Sequence, residues 1–272
     1  MKVTKHSGHV VEFDGQKLHN SLLRAGAGET VADDIVDAVR KQIFDGMSTK
    51  KIYQLAFSML KKVSGSHAAR YNLRTAIQQL GPAGFFFEKF VARLYRQLGY
   101  SAVTNLSLSG RCVTHEIDVA LEKDGVFTMV ECKFHARRES ISDVKVPMYI
   151  LSRFNDLKDI EHPLFDGKHT FDKCLIVTNN RFSADALTFG RCNGIEMLSW
   201  DYPADTSLRN LIDSNRMYPV TCLTTLTAAE KEKLMILGII LAWEIADRTD
   251  ELRAIGISDN RIRNILREIS EL

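Results

Sequence analysis

The chain has 272 residues, of which 45% are hydrophobic and 26% charged, a composition that excludes a disordered or fibrous protein and suits one large or two to three small domains. The formal net charge is only +2, so any affinity for nucleic acid must come from local clusters of Lys and Arg. The five cysteines are scattered, no signal peptide is evident, and no apolar run approaches the roughly 20 residues of a membrane span, so we expect a cytoplasmic protein outside the membrane.

Residues 1–82 predict a small domain made of a β-hairpin and helices. Polar and apolar residues alternate over 1–13 around the turn His6-Ser7-Gly8-His9, as in two short strands. Apolar residues then recur every three or four positions from Leu18 to Leu60, which is the spacing of amphipathic helices. The pattern ends near Gly81-Pro82, where we place the first domain boundary.

Residues 83–220 predict an α/β sandwich. The hairpin turn Lys123-Asp124-Gly125 separates two alternating segments, and an apolar run, Cys174 to Thr178, predicts a buried strand. The expected elements in chain order are a helix from Phe85 to Leu98, strands at 101–109, 114–122 and 126–134, a helix near 142–157, the strand at 174–178, a helix at 183–190, a strand at 195–200 and a helix near 205–213.

Residues 221–272 predict a third, wholly helical module, with glycines at Gly238 and Gly256 between its helices. The whole chain is therefore expected to be a multi-domain α+β protein around a central α/β domain.

The two strands of the predicted central hairpin carry a set of charged residues suited to phosphodiester hydrolysis. Side chains alternate along a strand, so Glu116 and Asp118 share one face, and Glu131 and Lys133 share a face on the partner strand. We expect Asp118 and Glu131, with the carbonyl of Cys132, to bind Mg²⁺. Lys133 would orient or deprotonate the attacking water, and Glu116 would be an auxiliary acid. An exposed hairpin face that merely carries charges is the alternative.

The order of these elements resembles the PD-(D/E)xK nuclease fold, particularly the Mrr-type restriction endonucleases, over about residues 85–212. The resemblance implies a restriction-endonuclease-like α/β/α sandwich and DNA cleavage, and it assigns Glu88 on the opening helix as an extra acidic group. Two departures stand out: Glu116-Ile-Asp118 replaces a Pro-Asp dipeptide, and Lys145 and Tyr149 occupy the stretch where the family often has glutamine.

A zinc site is a competing interpretation of the same hairpin, because Cys112-x-x-His115 and Cys132-x-x-His135 mimic two halves of one. Strand alternation turns Cys132 away from the acidic face, whereas His135 has the parity of that face. A single tetrahedral site is therefore awkward, and buried thiols with ordinary histidines are the expected outcome.

The N-terminal domain resembles the ATP-cone, a regulatory nucleotide-binding domain, over about residues 2–80. The resemblance is carried by Val3-Thr4-Lys5-His6-Ser7-Gly8, by Lys17, and by Phe44-Asp45-Gly46-Met47-Ser48-Thr49. It implies that ATP or dATP binds near Val3, Lys5, His6, Lys17, Thr49 and Tyr53. The two lysines can contact phosphates, Thr49 can donate its hydroxyl, and Tyr53 can pack near a base.

The C-terminal module resembles helix-hairpin-helix DNA-binding motifs. Gly238 and Gly256 each follow a helix, and because glycine has no side chain the backbone can approach a phosphate there. The amides at the start of the next helix, at Ser258, can then bind the phosphate oxygens. Arg261 and Arg263 can add positive charge. A packing bundle whose glycines merely end the helices remains the alternative.

The sequence as a whole predicts a Mg²⁺-dependent DNA endonuclease regulated by ATP or dATP, with DNA and nucleotide as partners; a homo-oligomer is compatible with it. The alternatives are a nucleotide-responsive DNA-binding regulator with a vestigial nuclease site, and a nuclease that acts on RNA or DNA junctions. No P-loop sequence is present to suggest ATP hydrolysis.

Overall fold

The computed structural model describes residues 1–5, 8–81 and 84–272, and it divides into two compact units. Unit 1 combines two stretches of chain, Met1–Ala76 and Tyr218–Leu272, and unit 2 is the stretch Ile77–Met217. In the part of the chain that the structure describes, no helix has the length and apolar character needed to cross a membrane.

Helices and strands are numbered along the chain. The helices are α1 (Gly15–Arg24), α2 (Glu29–Arg40), α3 (Thr49–Val63), α4 (Gly65–Tyr71), α5 (Leu73–Gln78), α6 (Phe85–Gln97), α7 (Lys145–Leu157), α8 (Ala184–Cys192), α9 (Leu208–Ser214), α10 (Ala228–Ile236), α11 (Thr249–Ala254) and α12 (Asp259–Ser270). The strands are β1 (Lys2–Thr4), β2 (Val10–Glu12), β3 (Ser101–Ser109), β4 (Thr114–Lys123), β5 (Val126–Lys133), β6 (Ile141–Ser142), β7 (His162–Leu164), β8 (Gly167–His169), β9 (Lys173–Thr178), β10 (Arg181–Phe182) and β11 (Glu196–Leu198).

The N-terminal stretch of unit 1 is the predicted hairpin followed by helices. Strands β1 and β2 pair antiparallel, and Asp14, Ser48 and Ser64 cap α1, α3 and α4 by accepting a hydrogen bond from the amide three residues on. Each such cap contributes about 1 kcal/mol. The apolar faces of the helices form one core that includes the fully buried Leu22 and Val39.

The C-terminal stretch packs against the N-terminal helices within unit 1. The Thr221 hydroxyl donates to the Ala76 carbonyl at 2.8 Å, and the Lys61 ammonium donates to the Thr224 carbonyl at 2.9 Å. Two segments that are far apart in sequence therefore share one compact body.

Unit 2 is built on a five-stranded mixed sheet of order β11-β9-β5-β4-β3. Strands β3, β4 and β5 are antiparallel neighbours, whereas β5, β9 and β11 run parallel and are joined through α7 and α8. Helix α6 packs on β3, β4 and β5, and α7 packs on β9. This sheet with its helices is the α/β architecture that the sequence predicts.

The turn between β4 and β5 fixes the register of the central hairpin. Asp124 and Gly125 have φ of 54° and 76°, as a two-residue type I′ turn requires, and Lys123 pairs with Val126. Because Asp and Gly adopt positive φ at little cost, the sequence sets the pairing of the strands that carry the acidic residues.

Two small pieces of sheet were not predicted. Strands β7 and β8 form a hairpin between α7 and β9, and β6 pairs parallel with β10. These strands have two or three residues each, too few for an alternating pattern to show.

Candidate active site

Asp118 and Glu131 lie next to each other on adjacent strands of unit 2. They flank the pair Val119–Val130, with Asp118 just before Val119 on β4 and Glu131 just after Val130 on β5. Lys133 is two residues beyond Glu131 and therefore has the same parity along β5. Since β4 and β5 are antiparallel, these three residues gather at the end of the sheet where β5 finishes.

Backbone hydrogen bonds hold this part of the hairpin in place. The Cys132 amide donates to Asp118 Oδ2 at 2.7 Å, so the carboxylate is fixed by the partner strand. On the other side of β5, the buried Thr178 of β9 donates its hydroxyl to the Lys133 carbonyl at 2.7 Å. The backbone of the Glu-x-Lys segment is thus tied to both neighbouring strands.

The two central carboxyl groups are costly to ionise together. Burial raises the pKa of Glu131 to about 7, with repulsion from Asp118 as the next cause. Burial also raises the pKa of Asp118, and the hydrogen bond from Cys132 and the charges of Arg153 and Lys133 oppose that rise. A site that penalises negative charge in this way favours a bound cation.

Glu88 and Glu116 belong to the same electrostatic cluster. Burial raises the pKa of Glu88, on the first turn of α6, to about 7, and Asp118, Glu131 and Glu116 raise it further by repulsion. Glu116 lies exposed on β4. The other three predicted acids thus all lie within electrostatic reach of Glu88.

Arg153 of α7 is a member of the cluster that the sequence did not predict. Its guanidinium binds Glu131 Oε2 at 2.6 Å, with both side chains largely buried, and also donates to the Glu116 carbonyl. Its position four residues after Tyr149 puts it one helical turn along the same face, and that spacing was the available signal.

Two asparagines after β9 shape the loop that leaves β5 after Lys133. Asn179 exchanges hydrogen bonds of 2.8 Å with the backbone of His135, and the Asn180 amide donates to the Arg137 carbonyl at 2.6 Å. Both asparagines are buried. Their role is to position the loop, and it depends on the parallel pairing of β5 with β9, which a sequence pattern does not reveal.

The zinc interpretation is not supported by the geometry. His115 bonds Asp156 at 2.9 Å while Cys112 is exposed, and His135 bonds Ser142 at 2.9 Å. Cys132 is buried, and burial raises the pKa of its thiol. Within residues 1–5, 8–81 and 84–272, no three or more His, Cys, Asp or Glu side chains are arranged to hold a metal ion.

The N-terminal candidates occupy two neighbouring elements of unit 1. Val3 is buried on β1 and Lys5 follows that strand, exposed. A bridge between Thr4 and Ser48 places β1 beside the start of α3, where Thr49 is the first helical residue. The predicted Lys5 and Thr49 positions thus lie on adjoining segments.

The other N-terminal candidates have different surroundings. Lys17 lies on the first turn of α1, exposed, with Asp14 3.3 Å away. Tyr53 stacks on Tyr71 with ring centroids 4.9 Å apart and donates its hydroxyl to Asn72 at 2.7 Å. The predicted residue His6 lies outside the described residues.

The C-terminal glycines have the backbone conformation expected at helix ends. Gly238 and Gly256 have φ of 82° and 92°, and a Cβ at either position would meet nothing within 4 Å. Ser258 is the N-cap residue of α12, and its exposed side chain makes no capping hydrogen bond. Arg261 is engaged, because its guanidinium binds both Glu230 oxygens, at 2.5 and 2.9 Å.

Three parts of the chain match known families. Residues 1–76 match the ATP cone domain, residues 82–202 match the restriction endonuclease family, and residues 218–272 match the family described as AF1548-like, C-terminal. The resemblances to the ATP-cone and to restriction endonucleases are confirmed, and the central unit is a restriction-endonuclease-like domain. The C-terminal match does not test the helix-hairpin-helix resemblance.

The chain is similar to several known proteins over part of its length. An uncharacterized protein of Archaeoglobus fulgidus is 32% identical over 183 residues, which is 67% of this chain and 99% of the relative. The crystal structure of AF1548, a protein of unknown function, is similar with 31% identity and a TM-score of 0.57, covering 69% of this chain and 96% of that one. Can2 from Sulfobacillus thermosulfidooxidans, solved with cyclic tetra-adenylate, has 17% identity over 74% of this chain and 52% of its own, with a TM-score of only 0.33.

Proposed function

Because the chain belongs to the family of the Archaeoglobus fulgidus protein and contains an ATP cone and a restriction-endonuclease domain, we propose that it is a Mg²⁺-dependent endonuclease that hydrolyses DNA phosphodiester bonds under control of ATP or dATP. The observation that carries the proposal is the pair of adjacent, largely buried carboxyl groups of Asp118 and Glu131, with Lys133 two residues beyond Glu131 on the same face of β5.

The donor chemistry of the site fits Mg²⁺ better than a softer metal. Mg²⁺ binds oxygen, keeps several waters and needs only one or two protein carboxylates. Asp118 and Glu131 supply those carboxylates, and the Cys132 carbonyl is the proposed third ligand. Bound Mg²⁺ would neutralise charge on the scissile phosphate and lower the pKa of the attacking water.

The protein's own groups have distinct roles in the proposed reaction. Asp118 is held in position by the Cys132 amide, and Lys133, whose backbone is anchored by Thr178, orients the water and offsets negative charge on the phosphate. Glu88, with a pKa of about 7, can hold or release a proton on its carboxyl group near neutral pH.

Exposed side chains beside the site suit a nucleic-acid backbone. Lys133, Arg137 and Lys145 are exposed on β5, on the loop that follows it and on α7, and their charges can pair with phosphates. Met148 and Tyr149 on α7 are 49% and 64% exposed and can pack against sugars or bases. The mixture of cations and exposed apolar groups supports DNA as the substrate.

Cleavage of plasmid DNA with Mg²⁺ tests the proposal. We expect Lys133→Ala to lower the nicking rate by about 100-fold or more, since a positioned general base or charge stabiliser contributes that much. Lys168→Ala removes an exposed lysine from β8 and should leave the rate unchanged. The substrates should include methylated and unmethylated plasmids, each with and without ATP.

The competing function is a nucleotide-responsive DNA-binding regulator. One observation favours it: Arg153 forms an ion pair with Glu131, so this proposed metal ligand already has a cation as its partner. If wild type and Lys133→Ala bind DNA equally but neither cuts any DNA form, the regulator is correct and the endonuclease proposal is wrong. Cleavage of single-stranded RNA or of branched DNA in preference to plasmid would instead identify a different nucleic-acid substrate.

Nucleotide control is tested separately by thermal unfolding. Lys5 and Thr49 lie on adjoining segments of unit 1, where an exposed ammonium and a helix start can contact phosphates. We expect millimolar ATP or dATP to raise the Tm of wild type, and Lys5→Ala to reduce that increase. An unchanged Tm of the wild type would remove the regulatory part of the proposal and leave the nuclease part standing.

A further inference from the structure

Arg153 is placed to act as the counter-cation of the acidic cluster. Its guanidinium reaches two strands at once, binding the Glu131 carboxylate of β5 and the Glu116 carbonyl of β4. The exposed fractions of the Arg153 and Glu131 side chains are 11% and 15%, so the pair is shielded from bulk water. Such shielding makes the interaction much stronger than that of a surface ion pair.

The charges around Arg153 explain why a cation is needed there. Asp118 and Glu131 are neighbours on β4 and β5, and Glu116 lies two residues before Asp118, on the same face of β4. Because the Arg153 guanidinium lies 2.6 Å from Glu131, its positive charge offsets the repulsion between the Glu131 and Asp118 carboxylates. Removing one partner of such a pair leaves uncompensated charge in a low-dielectric region.

A divalent ion at this site would meet the guanidinium directly. An Arg153 nitrogen lies 2.6 Å from Glu131 Oε2, so an ion bound by Glu131 would share that carboxylate with the guanidinium. Two cations held by one carboxylate that is shielded from water repel each other. Arg153 also has a neighbouring alternative, because the centre of its guanidinium is 5.6 Å from the ring centroid of the exposed Tyr149.

We propose that Arg153 is a resident cation that pairs with Glu131 when no metal is bound. When Asp118 and Glu131 hold a divalent ion, the Arg153 guanidinium would leave Glu131 and become free to contact a DNA phosphate. The inference rests on the proposed function, because it takes Glu131 as a metal ligand. In this exchange, Arg153 is released from Glu131 only when the metal binds. Arg153 therefore becomes available to a phosphate only after the ion is in place.

Binding of Mn²⁺ to the full chain without DNA tests the exchange. Calorimetric titration should give a Kd about fivefold or more lower for Arg153→Met than for wild type, since a competing cation has been removed. Arg153→Lys, which keeps the charge but not the two-pronged contact, should lie between them. Arg209→Met removes an arginine whose guanidinium lies 3.6 Å from Asp213 on α9, and this variant should match wild type.

The increase in Tm that Mn²⁺ causes is a second measurement, and the loss of a purely structural contact would not change it. Arg153→Met should be less stable than wild type without metal, and Mn²⁺ should raise its Tm by more than it raises that of wild type. A structural role alone would lower the Tm equally with and without Mn²⁺. If Arg153→Met does not fold, the comparison of Arg153→Lys with wild type carries both measurements.

Two results would overturn the exchange. Equal or weaker Mn²⁺ binding by Arg153→Met would mean that the arginine holds Glu131 in place for the metal, and absence of Mn²⁺ binding by both proteins would remove the competition altogether. Failure of the nuclease proposal has a different signature, namely a wild type that binds Mn²⁺ normally and leaves DNA uncut.

Discussion

Replacing Glu88 by glutamine should make the protein more stable at neutral and alkaline pH. Burial, followed by repulsion from Asp118, Glu131 and Glu116, raises the pKa of Glu88 from 4.5 to about 7. The ionised carboxylate is therefore unfavourable in the folded protein. Glu88→Gln keeps the shape of the side chain and removes the charge, so the variant avoids this cost.

The sign and size of the effect follow from proton linkage. Below about pH 4.5 both folded and unfolded chains hold the Glu88 proton, and between pH 4.5 and about 7 only the folded chain does, so stability falls as the pH rises through this range. A shift from 4.5 to about 7 corresponds to at most about 3 kcal/mol at 1.36 kcal/mol per pH unit. Glu88 is only half-buried, and screening by water reduces the expected gain to about 1–2 kcal/mol.

Urea unfolding of wild type and Glu88→Gln between about pH 5 and pH 9 measures the difference. The advantage of the variant should be small at pH 5, grow up to about pH 7 and stay constant above it. Glu161→Gln alters an exposed glutamate outside the cluster and should show no such dependence. A Glu88→Gln variant that gains no stability between pH 5 and pH 8 would refute the electrostatic account of the cluster.

Two further predictions concern the cores of the two units. Phe87→Ala removes a fully buried ring of α6 and should lower the free energy of unfolding, measured in urea, by about 3–5 kcal/mol. Phe85→Ala, at a position that is 44% exposed, should lower it far less, and equal losses would contradict the packing of α6. Glu268→Ala removes the acceptor for the amides of Thr224 and Thr225 and should lower the free energy of unfolding in urea by about 2–3 kcal/mol. Unchanged stability would instead show that water replaces these hydrogen bonds.

The strands of the site were predictable because local rules determine them. The turn at Asp124-Gly125 fixes which residues of β4 and β5 pair, and alternation then decides which side chains share a face. From these two rules alone, Asp118 and Glu131 are expected to be neighbours. The resemblance to a nuclease family added Glu88, which lies on a different element.

Arg153, Asn179 and Asn180 were not predicted because their roles depend on non-local packing. Arg153 contacts Glu131 only because α7 packs over the sheet. The two asparagines reach the loop after β5 only because β9 pairs with β5. The spacing of Arg153 from Tyr149 places the two on one face of α7, but it does not say which strand that face covers, and no spacing predicts the contacts of the two asparagines. The same holds for unit 1, where Thr221 and Ala76 are 145 positions apart and share a hydrogen bond.

The acidic cluster imposes a requirement that connects folding with the proposed chemistry. Carboxyl groups as close and as shielded as those of Asp118 and Glu131 are stable only when protonated or when a cation lies among them. In the structure Arg153 supplies the cation, and in the proposed reaction a divalent ion does. The same carboxylates can serve a folded resting state and a metal-loaded state because the two cations have one site in common, Glu131.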